Sequence, residues 1–226
     1  MPRLCESVVA DVGVYAPQED SWLLIETMRR TTPVHGRRVL DLCTGSGVLA
    51  VAAAQLGAVR VAAYDICTRA VRCARNNASA AGVEVDVQQG SLSDALADGP
   101  FDVVVSNPPY VPVNTEASGS LSLPVGPALA WDAGADGRLV LDPLCAAAPK
   151  LLAERGRILI VQSEFAGVER SLDLLRSGGL DAEVVLWQWI PFGPVLTSRA
   201  RWLERTGLVD TGRRTERLAV IRADKR

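Results

Sequence analysis

Short runs rich in Val, Ile and Leu recur along this chain with helix-patterned stretches between them. That alternation restricts it to an α/β fold with a mainly parallel sheet and helices on both faces. The expected strands are 37–42, 59–65, 83–88, 101–106, 156–162, 182–189 and 216–222. Helices are expected near 19–30, 47–56, 68–81, 138–153 and 165–177, with a short one around 199–206. Thr68 is placed to cap the third of these and Gly82 to end it. Seven strands fit a doubly wound sheet, whose ligand crevice opens beyond the carboxyl ends of the strands where strand order reverses. Functional residues should therefore follow strands one to four. Residues 111–137 form a connection of the length that lids and binding loops have, and 190–215 is an extended final connection.

After the first strand comes Asp41-Leu42-Cys43-Thr44-Gly45-Ser46-Gly47-Val48-Leu49-Ala50, and the second strand ends at Asp65, 20 residues beyond Gly45. The glycine pattern with that acid also satisfies the dinucleotide-binding fingerprint, so the glycines do not decide the ligand. Asp41 does. A pyrophosphate beside this carboxylate would cost several kcal/mol at an effective dielectric of about 20. S-adenosylmethionine has no phosphate and carries a sulfonium and an ammonium, which an acid favours. In this reading Asp65 accepts the ribose hydroxyls, while Gly45 and Gly47 admit the cofactor where a Cβ would block it. Ser91 and Leu92, after the third strand, fall where adenine would be contacted, although a Ser here is equally a turn former.

The fourth strand, Phe101 to Ser106, runs directly into Asn107-Pro108-Pro109-Tyr110. Two prolines cannot donate to a ladder, so the chain must leave the sheet and present its carbonyls. That suits methylation of a planar amide or aromatic amine, whose nitrogen lone pair is delocalised. The Asn107 side-chain oxygen and the Pro108 carbonyl can accept the two N–H groups, Pro109 stiffens the corner, and Tyr110 can cover the planar group by stacking. The reaction then demands chiefly a near-attack geometry, and no general base.

Length and composition fit one domain over residues 1–226, with 1–35 as an N-terminal segment and helix. No run approaches the roughly 18 apolar residues of a membrane helix, and Glu6 and Asp11 interrupt anything resembling a signal peptide, so the cytoplasm is expected. Five cysteines without a C-x-x-C pair and a single His, His35, in a Pro-Val-His-Gly turn point to neither a disulfide framework nor a zinc site. The net charge of −2 disfavours a protein that coats nucleic acid. The end is locally basic, with nine Arg/Lys against four acids from 199 to 226.

The segments DLCTGSG, YDI and SNPPYVP resemble the HemK-type protein glutamine methyltransferases, a family of the Rossmann-like class I S-adenosylmethionine-dependent enzymes. Tyr15-Ala16-Pro17-Gln18-Glu19-Asp20-Ser21 is similar to a segment of that family's short branch, which lacks an N-terminal helical domain. Ala130-Trp131-Asp132 through Gly137-Arg138 resembles the stretch after its Asn-Pro-Pro-Tyr corner. The resemblance implies a cofactor site of Ser21, Asp41, Cys43 to Gly47, Asp65, Ser91, Leu92 and Asn107. It implies a glutamine acceptor, a translation release factor presenting Gly-Gly-Gln, held by Asn107, Pro108, Pro109 and Tyr110, with an accessory small protein as a further partner. Two positions depart: Cys43 stands where a glycine is usual, tolerable if its φ is negative, and Ser91 replaces an Asp. The alternative acceptor is an exocyclic base amine, adenine N6 or guanine N2, in nucleic acid.

Overall fold

The computed structural model describes residues 4–113 and 133–226. Along the chain run α1 (Glu19–Thr31), β1 (Arg38–Leu42), α2 (Val48–Gln55), β2 (Arg60–Asp65), α3 (Thr68–Ala80), β3 (Asp86–Gln89), α4 (Leu92–Asp98) and β4 (Phe101–Ser106). Then come α5 (Leu141–Leu151), β5 (Leu152–Ser163), α6 (Val168–Ser177), β6 (Asp181–Pro191), α7 (Pro194–Arg205) and β7 (Thr215–Asp224). The seven strands form one sheet in the order β3-β2-β1-β4-β5-β7-β6. β1 to β5 pair in parallel, and β7 runs antiparallel between β5 and β6. The expected architecture is therefore present, with the strand order reversing between β1 and β4.

Central strands carry apolar side chains on both faces because helices cover both. Val39 and Leu40 of β1, Val103 to Val105 of β4 and Ile158 to Val161 of β5 are all buried. Among the described residues, no helix is long and apolar enough to cross a membrane.

Several expected boundaries shift for local reasons. β3 starts at Asp86, not 83, because Gly82 closes α3 in the left-handed region and the Val83 N–H is spent on the Ala78 carbonyl. Thr68 does not cap α3: it is the first helical residue, and the cap position is Cys67, whose N–H is received by Asp65 Oδ1 at 2.9 Å. α4 was not expected. The Ser-x-x-Asp signature that starts it is a capping box, with the Ser91 N–H and hydroxyl donating to Asp94 Oδ2 at 2.7 and 2.8 Å. α5 begins at Leu141, after a turn, and the final connection holds a longer helix than expected, opened by Pro194 in its first turn. Residues 114–132, most of the long connection, and Ala130 to Asp132 of the resembling segment lie outside the described residues.

Candidate active site

Where β1 and β4 diverge, Leu42 pairs with Ser106, and the chain leaves both strands on the same edge. A cavity of about 330 Å³ opens there, within the range of cofactor sites. Its walls include Ser21, Cys43 to Ser46, Asp65, Ser91, Leu92 and Asn107, so the crevice gathers nine of the expected cofactor positions from five separate parts of the chain.

The loop after β1 is held by acids that face inward. Asp65 receives the Gly45 N–H on one oxygen and the Cys67 N–H on the other, both at 2.9 Å, and this ties the two strand ends together. Burial pushes its carboxyl above the usual range. A Cβ at Gly45 would meet nothing within 4 Å, so this residue leaves open space over the crevice. Gly47 does a different job from the one expected. Its φ is +81° and a Cβ there would lie 2.9 Å from the Ala74 Cβ, so it brings α2 against α3 and is absent from the cavity wall.

Two further positions differ from expectation. Cys43 has φ +63°, the left-handed region that its departure from glycine was expected to avoid. Asp41 is fully buried and does not line the cavity. Its Oδ2 receives the Thr44 hydroxyl at 2.6 Å and the Ala50 N–H at 3.0 Å, while Oδ1 has no partner among the described residues. Desolvation raises its pKa to about 7. Asp41 thus supports the loop and the start of α2 from behind.

Across the crevice stands the corner after β4. Asn107 Nδ2 donates to Ser21 Oγ at 3.4 Å. The Ser21 hydroxyl itself donates to Asp20 Oδ1 at 3.2 Å, and the Ser21 N–H reaches the same oxygen at 2.6 Å. Because the Ser21 proton is committed to a carboxyl oxygen, Ser21 can only accept from Asn107. That fixes the Asn107 amide with its nitrogen toward α1 and leaves Oδ1 as the acceptor. The other Asp20 oxygen receives the hydroxyls of Tyr15 and Tyr110, each at 3.0 Å. Tyr110 is thereby a tethered, buried wall and not a free stacking ring.

A second, smaller hollow of about 60 Å³ lies on the far side of Asn107. Pro108 and Tyr110 line this one alone, whereas Tyr15, Asn107 and Pro109 line both. Sequence reasoning missed several residues of these walls. Asp20 and Glu216 enter the smaller hollow from α1 and β7; Asp20 lies in the resembling segment Tyr15 to Ser21, which gave it no role, and Glu216 carries no local motif that marks it. Leu139, Val140, Pro143 and Leu144 close the larger one. Their approach is set by Arg138, buried and bonded to Asp142 Oδ1 at 2.6 Å, the Ser171 hydroxyl at 3.0 Å and the Ala166 and Gly167 carbonyls. Gly137 passes so close to the Tyr110 carbonyl that a Cβ would lie 2.4 Å from it.

The family profile described as Methyltransferase small domain matches residues 7–119, half of the chain. The chain belongs to this methyltransferase family. It is 30% identical over 187 residues to a candidate protein N5-glutamine methyltransferase of Methanocaldococcus jannaschii, covering 83% of this chain and 91% of that one. With the release factor glutamine methyltransferase of Deinococcus radiodurans, this methyltransferase shares 34% identity over 87% of its own length and 68% of the relative's. Among solved structures, the complex of Mtq2 and Trm112 from E. cuniculi has a TM-score of 0.63 at 22% identity, covering 95% of this chain and 99% of that one, which establishes a shared fold.

Proposed function

We propose that this methyltransferase moves the methyl group of S-adenosylmethionine to the side-chain amide nitrogen of a glutamine in a protein, a translation release factor being the favoured acceptor. The observation that carries this reading is the placement of Asn107 in the wall shared by the two hollows, with its amide oriented by Ser21. The donor fits the larger one: its volume suits a cofactor, its lining is largely apolar, Gly45 leaves space for close approach, and Asp65 is a hydroxyl acceptor at the wall. When bound, S-adenosylmethionine supplies an electrophilic methyl on a positively charged sulfur.

The chain's own residues prepare the nucleophile. Asn107 Oδ1 and the Pro108 carbonyl accept the two amide hydrogens, which fixes the amide plane with one face toward the larger hollow and lets electron density build on the nitrogen as the methyl approaches. Attack by the nitrogen would form the new bond to the methyl carbon as the carbon–sulfur bond breaks with its electron pair leaving on sulfur, and the methylated nitrogen, strongly acidic while it holds both protons, would release one of them to water. Relatives named as release factor and ribosomal protein uL3 glutamine methyltransferases support an amide acceptor. A release-factor substrate puts the enzyme in the cytoplasm. Mtq2 is seen in a complex with Trm112, and an accessory small protein is a further partner in this reading.

The nucleic-acid alternative drew on the basic end of the chain. Much of that charge is internally engaged: Arg213 pairs with Glu164, Arg214 with Glu204, Arg222 with Glu183, Lys225 with Glu154 and Arg226 with Asp181. Arg217 lies 4.1 Å from the Trp187 ring centroid. This disfavours a surface that tracks phosphates.

The test is transfer from tritiated S-adenosylmethionine to a recombinant release factor carrying Gly-Gly-Gln, beside total RNA. Label on the glutamine is expected. Asn107→Ala should lower kcat/KM by about 10²-fold or more while calorimetric binding of the cofactor persists. Label only on RNA, or full activity of Asn107→Ala, overturns the reading.

A further inference from the structure

Resting on the amide reading above, we propose that Glu216 is the acceptor-side specificity residue. In its neutral form its carboxyl donates a hydrogen bond to the carbonyl oxygen of the acceptor amide, while Asn107 and Pro108 take the amide hydrogens. A primary amide brings two donors and one strong acceptor into the smaller hollow. The corner after β4 satisfies only the donors, and an amide oxygen buried there without a partner would cost about 1–3 kcal/mol.

The wall of this hollow narrows the choice of partner. Among the described side chains of the wall, Tyr15 and Tyr110 have given their hydroxyl protons to Asp20 Oδ2, Asn107 Nδ2 donates to Ser21, and the prolines have no N–H, which leaves Gln18, whose Oε1 lies against Gly193, and Glu216 as candidate donors. Glu216 enters from the start of β7, is 4% exposed, and lines the hollow beside Asn107 and Pro108. Its Oε2 is buried with no hydrogen-bond partner among the described residues, an arrangement that folding alone disfavours.

The surroundings keep a proton on this carboxyl. Asp20 of α1 and Glu164 beyond β5 face it with like charge, the phenols of Tyr15 and Tyr110 are neutral, and Ser163 is its hydrogen-bonding neighbour. The nearby cation Arg213 is engaged by Glu164 and lies over the Phe165 and Trp189 rings. With burial the largest cause, the Glu216 pKa rises to about 7. With one carboxyl oxygen engaged by Ser163 and Oε2 unpartnered among the described residues, a proton carried on Oε2 would have its acceptor only when the substrate arrives.

The test compares Glu216→Gln and Glu216→Ala with the parent enzyme on the Gly-Gly-Gln release factor across pH. Glutamine keeps an N–H donor at the same place and cannot ionise. It should retain kcat/KM at mildly acidic pH and abolish the decline that the parent shows as pH rises through about 7. Alanine should lower kcat/KM about tenfold or more, as expected for an unmade buried hydrogen bond, with cofactor Kd unchanged. Glu216→Ala at parental activity, or Glu216→Gln with the parental pH profile, overturns the assignment. Infrared difference spectra of the free enzyme between about pH 5.5 and about pH 8.5 read the proton independently of any acceptor. A protonated carboxyl band lost in Glu216→Gln and titrating in this interval supports the proposal, and a Glu216 ionised throughout refutes it. Failure of the parent to label glutamine would instead refute the amide reading, so the two failures are distinct.

Discussion

Tyr110 donates its hydroxyl to Asp20 across 3.0 Å, and this contact joins the corner after β4 to the first turn of α1. Asp20 serves Tyr15 and Ser21 as well, so one buried carboxyl organises the whole rear of the acceptor hollow. Tyr110→Phe removes one of its donors and should cost about 1–3 kcal/mol, read as a lower Tm. Asp20→Ala leaves two phenols and Ser21 without their acceptor and should cost more than Tyr110→Phe and also lower kcat. A double-mutant cycle between Tyr15→Phe and Tyr110→Phe should be non-additive, since both share one oxygen. Additive losses would show that the shared oxygen does not couple them.

Cys43 occupies φ +63°, where a side chain costs about 1–2 kcal/mol relative to glycine. Cys43→Gly is expected to raise Tm modestly, the relief of the left-handed backbone being partly offset by a more flexible unfolded chain. Cys43→Val should lower it, because β-branching is least tolerated there. Thermal unfolding of the two variants checks the opposite signs.

Gly47 packs against Ala74 with no room for a methyl. Gly47→Ala should destabilise by about 2 kcal/mol or more, from overpacking and backbone strain together. Adding Ala74→Gly removes the 2.9 Å contact with Cβ but not the 3.0 Å one with Cα, so, judged against Ala74→Gly alone, the loss caused by Gly47→Ala should be smaller than in the parent. Denaturant unfolding of the single and double variants measures this, and absence of any recovery would exclude the helix contact as the cause.

Three acids, Asp41, Asp65 and Glu216, make stability depend on pH, because burial raises the pKa of all of them. The Asp41 pKa rises from 3.8 to about 7 and that of Glu216 from 4.5 to about 7, both chiefly through desolvation. A raised folded-state pKa means that the folded protein holds protons the unfolded chain has released. The stabilisation is full below the unfolded values and is lost as pH rises through the folded ones. Tm should therefore fall between about pH 5 and about pH 7 and level off above. The lowered carboxyls Glu26, Asp94 and Glu204 act in the opposite sense, with stability lost as pH falls below their ordinary values, and so leave this window clear. Glu216→Gln and Asp41→Asn should each flatten part of the slope, and a flat parental profile would contradict it.

The sequence by itself determined the sheet, the place of the crevice and the corner that follows β4. Those features are written in short-range patterns: apolar runs between helices, glycines after β1, and two prolines that cannot continue a strand. It did not determine which of the motif residues face the crevice. Asp41 and Gly47 sit in the motif beside Cys43 and Gly45, yet one is buried behind the loop and the other is a helix contact. Side-chain direction there depends on a left-handed turn and on α3, which arrives from more than twenty residues away. Nor could spacing show that Asp20 of α1, Tyr110 after β4 and Glu216 of β7 meet in one hollow. Their encounter is made by strand order, which brings β7 beside β5 and lays α1 over them, and only long-range packing of the sheet and its helices sets it.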